Sequence, residues 1–249
     1  PVGIGSVFII DPLVTVPMLA GLIAWLWWRQ NAPDRGMRWI RAGLIASTLY
    51  LGWTVAAQMH VEDEVRRSIA ATPLEGRRVL VTPAPFTSLL WRVIVMDDDA
   101  YHEGFRSLFD KSVPIPLERH ASDPNLLDSL RDDRTVRRLA RFSKGFYSVR
   151  MANRELRVAD GAPGTFSQLL GAVTTAQAAP VGSVDANRPI VMTDLRMGQT
   201  PWFVFSFVVA ELSARGIRAV PNRQIPSARP PVTALPWLWN RIWDEDATY

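Results

Sequence analysis

The sequence predicts an α+β protein, with a two-helix transmembrane hairpin followed by an extramembrane α+β domain containing an antiparallel sheet. Three observations carry that expectation. Val7 to Trp28 (VFIIDPLVTVPMLAGLIAWLWW) holds 22 residues and a single charge, Asp11. Ala42 to Met59 holds 18 residues and no charge. Beyond residue 60, short alternating strings broken by prolines, glycines and acid clusters replace the apolar runs.

At about 1.5 Å per residue the first run is long enough to cross a hydrocarbon core of roughly 30 Å. Pro12 and Pro17 fit a membrane helix better than the interior of a soluble one. Trp25, Trp27 and Trp28 close the run where an aromatic belt would sit. The connector RQNAPDRGMRWIR carries Arg29, Arg35, Arg38 and Arg41 against Asp34. The second span is then expected over 40–59, which gives a hairpin at 1–60 and an extramembrane domain at 61–249. A buried helical hairpin in a soluble protein is the alternative. Arginines on the connector favour the cytoplasm, so the reading for a bacterium is a multi-pass inner-membrane protein whose domain faces the periplasm. The chain begins on a proline with no initiator Met and no signal-peptide pattern, which leads us to expect a longer natural chain.

Past the second span, the helix is expected to continue through Val65–Ala71. RVLVT (78–82) alternates like a strand, LLWRVIVM (89–96) reads as a second strand stopped by Asp97, Asp98 and Asp99, and Tyr101 to Phe109, which alternates large apolar and polar residues, is a candidate partner. From Asn125 to Phe142 apolar residues recur at threes and fours, after the cap-like Asp123-Pro124. FYSVRM and RELRVAD read as a hairpin, and residues 161–188 as a flexible Ala/Gly/Pro-rich insertion. Ile190–Leu195 and Trp202–Leu212 resume strand character, and the tail is expected to be irregular up to a final Trp-rich segment.

The chain has 249 residues and a formal charge of +4, with no cysteine. Disulfides and thiolate metal sites are therefore excluded. The basic excess is arginine, since Lys111 and Lys144 are the only lysines, and it is not clustered with aromatics as in a nucleic-acid binder. No Gly-rich phosphate loop, GxSxG or HExxH occurs. Asp11 is the first candidate for chemistry, because a carboxylate inside an apolar span is costly unless it meets a partner or water. Counted outward from the connector, Asp11 and His60 fall about 17 and 19 residues away, which would bring them to one height. An imidazole and a carboxylate there are suited to hold a divalent cation or share a proton. Glu64 follows His60 by four and shares its helical face. A cap for Asp11 and an interfacial position for His60 are the structural alternatives. His102 and His120 stand alone, and Arg92, Arg196 and Lys144 suit salt bridges or an anionic substrate.

FIIDPL (8–13), TPAPFTSLLWRV (82–93), GFYSV (145–149) and TDLRMG (193–198), in this order after two spans, resemble membrane-bound metal-dependent hydrolases of the YdjM type, also called LexA-binding inner-membrane hydrolases. The resemblance covers Gly5 to about Leu212. It implies a divalent metal, such as zinc, and hydrolysis by metal-activated water of an ester or phosphoester in a small or lipid-like substrate. In that family the main histidine and aspartate motifs precede the FIIDPL stretch, so Asp11 and His60 are what map here. The non-enzymatic alternative is a membrane-anchored periplasmic module for binding or envelope assembly.

Overall fold

A computed structural model describes residues 6–7, 11–112, 114–152, 188–226 and 234–247. It is a mixed helix-and-sheet protein with antiparallel sheets, and the chain divides into two compact units. Unit 1 comprises 1–95, 102–118 and 233–249; unit 2 comprises 96–101 and 119–232. The helix passing through His60 continues into the core of unit 1.

In unit 1, α1 (Pro12–Trp28) is followed by α2 (Pro33–Ile69). Asp11 caps α1, and Pro12 occupies the first turn, where no amide hydrogen is needed. The helices run antiparallel and touch through small residues. A Cβ on Gly21 would lie 2.7 Å from the Trp39 carbonyl oxygen, and one on Gly43 would run into the Pro17 carbonyl. Only glycine permits so close an approach of two backbones. Arg35 lies 5.1 Å over the Trp28 ring near the connector. Of the two, α2 is long and apolar enough to cross a membrane by length and composition; α1 is a shorter apolar helix of 17 residues.

The C-terminal half of α2 packs on a sheet. Ala57, Val61, Val65 and Ile69 join Val81, Trp91, Val93, Val95 and Ile115 in one buried cluster. Strand β1 (Val79–Pro83) pairs antiparallel with β2 (Leu90–Met96), Val81 opposite Val93. The sheet order is β1-β2-β3-β4, with β3 at Ala100–Ser107 and β4 at Glu118–Ala121. Leu90 and Ile94 are buried as fully as Trp91 and Val93, so β2 has both faces covered. Helix α4 (Ala234–Trp243) forms the Trp-rich segment; its Leu238 and Ile242 pack with Ala84 and Leu90.

In unit 2, Asp123 caps a 3-10 helix at Pro124–Leu130, and Asp133 caps α3 at Arg134–Phe142. The sequence pattern suggested one helix here. The break falls at Arg131–Asp133, where Asp133 accepts from the amides of Thr135 and Val136 and starts a new helix. Lys144 and Gly145 end it with positive φ, at 53° and 79°. Strand β5 (Tyr147–Met151) pairs with β6 (Arg188–Asp194), Val149 opposite Met192. The expected partner RELRVAD and insertion residues 161–187 lie outside the described residues, and Arg188 belongs to β6. The order is β10-β9-β6-β5, with β9 at Ser206–Ser213 and β10 at Gly216–Ile225; β7 (Gly198–Gln199) and β8 (Trp202–Phe203) form a small hairpin. The expectation of an irregular tail fails at β10. Pro221 sits where the register shifts between Ala219 and Arg223, on an edge strand, the setting in which a sheet tolerates proline.

Candidate functional site at the Asp11 end of the helix pair

Asp11 is 4% exposed and both its carboxylate oxygens are used. Oδ1 accepts from the Leu13 amide at 2.9 Å, and Oδ2 accepts from the Tyr50 hydroxyl at 2.8 Å. The Asp11 carbonyl takes the Thr15 hydroxyl at 2.8 Å. The Ser88 side chain lies near the Tyr50 hydroxyl. Ser88, on the loop between β1 and β2, is 3% exposed, and its carbonyl accepts from Trp91 Nε1 at 3.0 Å. Around this centre, Ser47 donates to the Val14 carbonyl at 2.7 Å and Gln58 donates to the Val81 carbonyl at 2.9 Å. The start of α1, the middle of α2 and the β1–β2 loop thus converge on one buried polar station, Asp11–Tyr50–Ser88. Two of its members, Asp11 and Ser88, come from strings singled out in the sequence, FIIDPL and TPAPFTSLLWRV.

His60 is elsewhere. It follows Tyr50 by ten residues on one continuous helix, a rise of about 15 Å. The level count from the sequence treated 29–41 as a loop, whereas the helix already begins at Pro33, so residues 33–41 add about 13 Å to the height of His60. The His60 side chain is 57% exposed, with Nε2 3.7 Å from Glu64 Oε1. Glu64 is committed to Arg106, whose Nε and Nη2 donate at 3.0 and 3.3 Å while its side chain is 3% exposed. Asp11, His60 and Glu64 therefore do not close one metal site. Among the described residues, no group of three or more His, Asp or Glu side chains is placed to hold a metal ion.

The remaining candidates are structural. Arg92 and Glu103 form a buried ion pair at 5% and 6% exposure. Arg196 forks onto Asp194 at 2.7 and 3.0 Å and lies 4.9 Å over the Phe142 ring. The Asp97–Asp99 cluster is a hairpin turn, with Asp99 exposed and paired to Arg119 at 2.7 Å. The His120 ring stacks on Tyr101 at 5.0 Å. In unit 2 a groove lined by Thr135, Arg138, Leu139, Phe142, Phe205 and Phe207 offers no acid–base pair.

Tyr50 and Ser88 are the members the sequence did not reveal. Tyr50 was visible only as a polar residue in an uncharged span, and its partnership with Asp11 spans 39 positions. Comparisons with protein-family models, with curated proteins and with solved structures find no match.

Proposed function

We propose that the chain belongs to a membrane-embedded hydrolase of the kind its sequence strings resemble. In this reading α1 and α2 cross a bacterial inner membrane, the arginine-bearing connector lies on the cytoplasmic side, and the α+β portion lies on the periplasmic side. The observation that carries the reading is the state of Asp11. An acid at the head of a helix that otherwise exposes Leu13, Val16, Leu19 and Ile23 is kept buried and hydrogen-bonded on both oxygens. Such a group is expensive in lipid, and the surrounding hydroxyls of Tyr50 and Ser88 are an arrangement that can hold or pass a proton.

Hydrolysis of an ester or phosphoester requires that attacking water lose a proton, and Asp11 is this chain's acceptor for it. The resemblance expects a divalent metal held by other histidines and aspartates, and the chemistry contributed here rests on the chain's own acid. The test is hydrolysis of a chromogenic ester or phosphoester by the full chain in membranes. Asp11→Asn is expected to abolish turnover with the protein still inserted, and Tyr50→Phe to reduce it about 10²-fold, as for loss of one aligned proton-transfer partner. Full activity of Asp11→Asn would overturn the assignment.

A second reading, a non-enzymatic membrane-anchored module, is favoured by a specific pair of contacts. Asp11 serves as a helix cap and Glu64 neutralises buried Arg106, roles that need no reaction. Turnover separates the two: Asp11→Asn should abolish hydrolysis in a protein that still folds if the acid is the proton acceptor, and absence of hydrolysis by the unsubstituted chain supports the module.

A further inference from the structure

Helix α4 has two unlike faces. Its inner face is fixed: Leu238 and Ile242 pack on Ala84 and Leu90, Arg241 forks onto buried Asp110 at 2.8 Å, and the Ser107 hydroxyl donates to the Ile242 carbonyl. Its outer face carries Trp239 and Trp243, at 63% and 58% exposure. Trp243 stacks on Phe109 at 5.0 Å, and Trp239 meets Trp243 edge-on at 6.0 Å. Phe109 is itself half exposed, as is Phe86, which holds a φ of +62° on the β1–β2 loop. A bulky residue rarely adopts that backbone conformation. Indoles locked outward in a contiguous aromatic patch mark an interaction surface.

The same loop fixes where this patch lies. Ala84 and Leu90, which seat α4, bracket Ser88, and Ser88 reaches Tyr50, the partner of Asp11 at the start of α1. The aromatic patch adjoins this loop, since the Leu108 amide, next to Phe109, donates to the Leu89 carbonyl at 2.9 Å. From Trp28 to Asp11 the apolar surface of the helix pair spans about 25 Å, close to a hydrocarbon core. The Asp11 level is then the rim of the bilayer, the layer in which Trp rings concentrate because their apolar body and N–H suit a half-wet environment.

We propose that the outer face of α4, with Phe109 and Phe86, seats in the interfacial layer of the membrane that α1 and α2 cross. The inference rests on the membrane reading above. Exposed Asp244 and Asp246 directly follow Trp243, so the surface it fits is a zwitterionic headgroup layer rather than an anionic one.

The cysteine-free sequence makes the test clean. Trp239→Cys and Trp243→Cys are labelled separately with a polarity-sensitive fluorophore in the full chain, reconstituted in phosphatidylcholine vesicles. Leu49→Cys on the exposed face of α2 and Arg67→Cys near its C-terminus serve as lipid and water references. Lipids spin-labelled near the headgroup should quench both α4 positions severalfold more than Arg67→Cys, with blue-shifted emission. If Leu49→Cys is lipid-quenched while both α4 positions behave as Arg67→Cys does, the docking proposal fails and the membrane reading stands. If Leu49→Cys is also water-like, both fail.

Discussion

The two halves of α2 bury one continuous stripe with opposite chemistry. Toward the connector the stripe is Gly36, Gly43, Ser47 and Thr54, and large residues such as Leu44, Ile45, Leu49 and Trp53 face outward. Toward the C-terminus the stripe is Ala57, Val61, Val65 and Ile69, and Asp63, Arg66 and Arg67 face outward. The second half is an ordinary amphipathic helix closing a core, stabilised by apolar area removed from water. The first half is inverted: small residues let backbones approach, and the large apolar side chains are left exposed. In the membrane reading proposed above, one helix built by both rules is what a chain requires when it leaves lipid partway along its length, and Asp11–Tyr50–Ser88 sits at the changeover.

The largest expected effect breaks the water-type half. Val61→Asp would bury an unpaired carboxylate among Val65, Trp91 and Val93, costing about 4 kcal/mol or more. Chemical denaturation in micelles should show it largely unfolded, and a modest shift would mean that the helix does not pack on the sheet.

The same acid in the other half sharpens the contrast. Leu44 is 55% exposed and lies nearer the middle of the helix pair, so in water Leu44→Asp would be nearly neutral, within about 0.5 kcal/mol. In lipid it should cost about 2.5–3.5 kcal/mol of insertion, read as a loss of membrane-integrated protein. A smaller effect is expected from packing. Gly43→Val drives a branched side chain into the Pro17 carbonyl and should lower helix-pair stability by about 1–3 kcal/mol, whereas Gly52→Ala, with nothing within 4 Å, should raise it by up to about 1 kcal/mol, read in a thermal melt.

Much of this architecture was legible. Alternation located β1 and β3, and short runs of strand-forming residues bounded by turn signals located β2, β5, β6 and β9. Periodicity failed between Leu130 and Val136, where two helices on one apolar face keep the same spacing across a capped break. It failed at β10 because Pro221 reads as loop when the edge position and register shift that accommodate it are not visible. The site was half legible. An acid in an apolar run stands out, but Tyr50 and Ser88 are ordinary residues whose meaning comes from neighbours 38 and 39 positions distant. The pairing of Asp11 with His60 rested on where α2 begins, and helix ends are the least certain feature of a sequence reading. Here, starting at Pro33 moved the imidazole past the changeover and into the exposed half.

The most direct test of that changeover is extraction of membranes carrying the whole chain with alkaline carbonate. The protein should remain in the pellet and dissolve only when detergent is added. Recovery as a folded monomer in detergent-free buffer would contradict the account, since Leu44, Ile45, Leu49 and Trp53 would then face water.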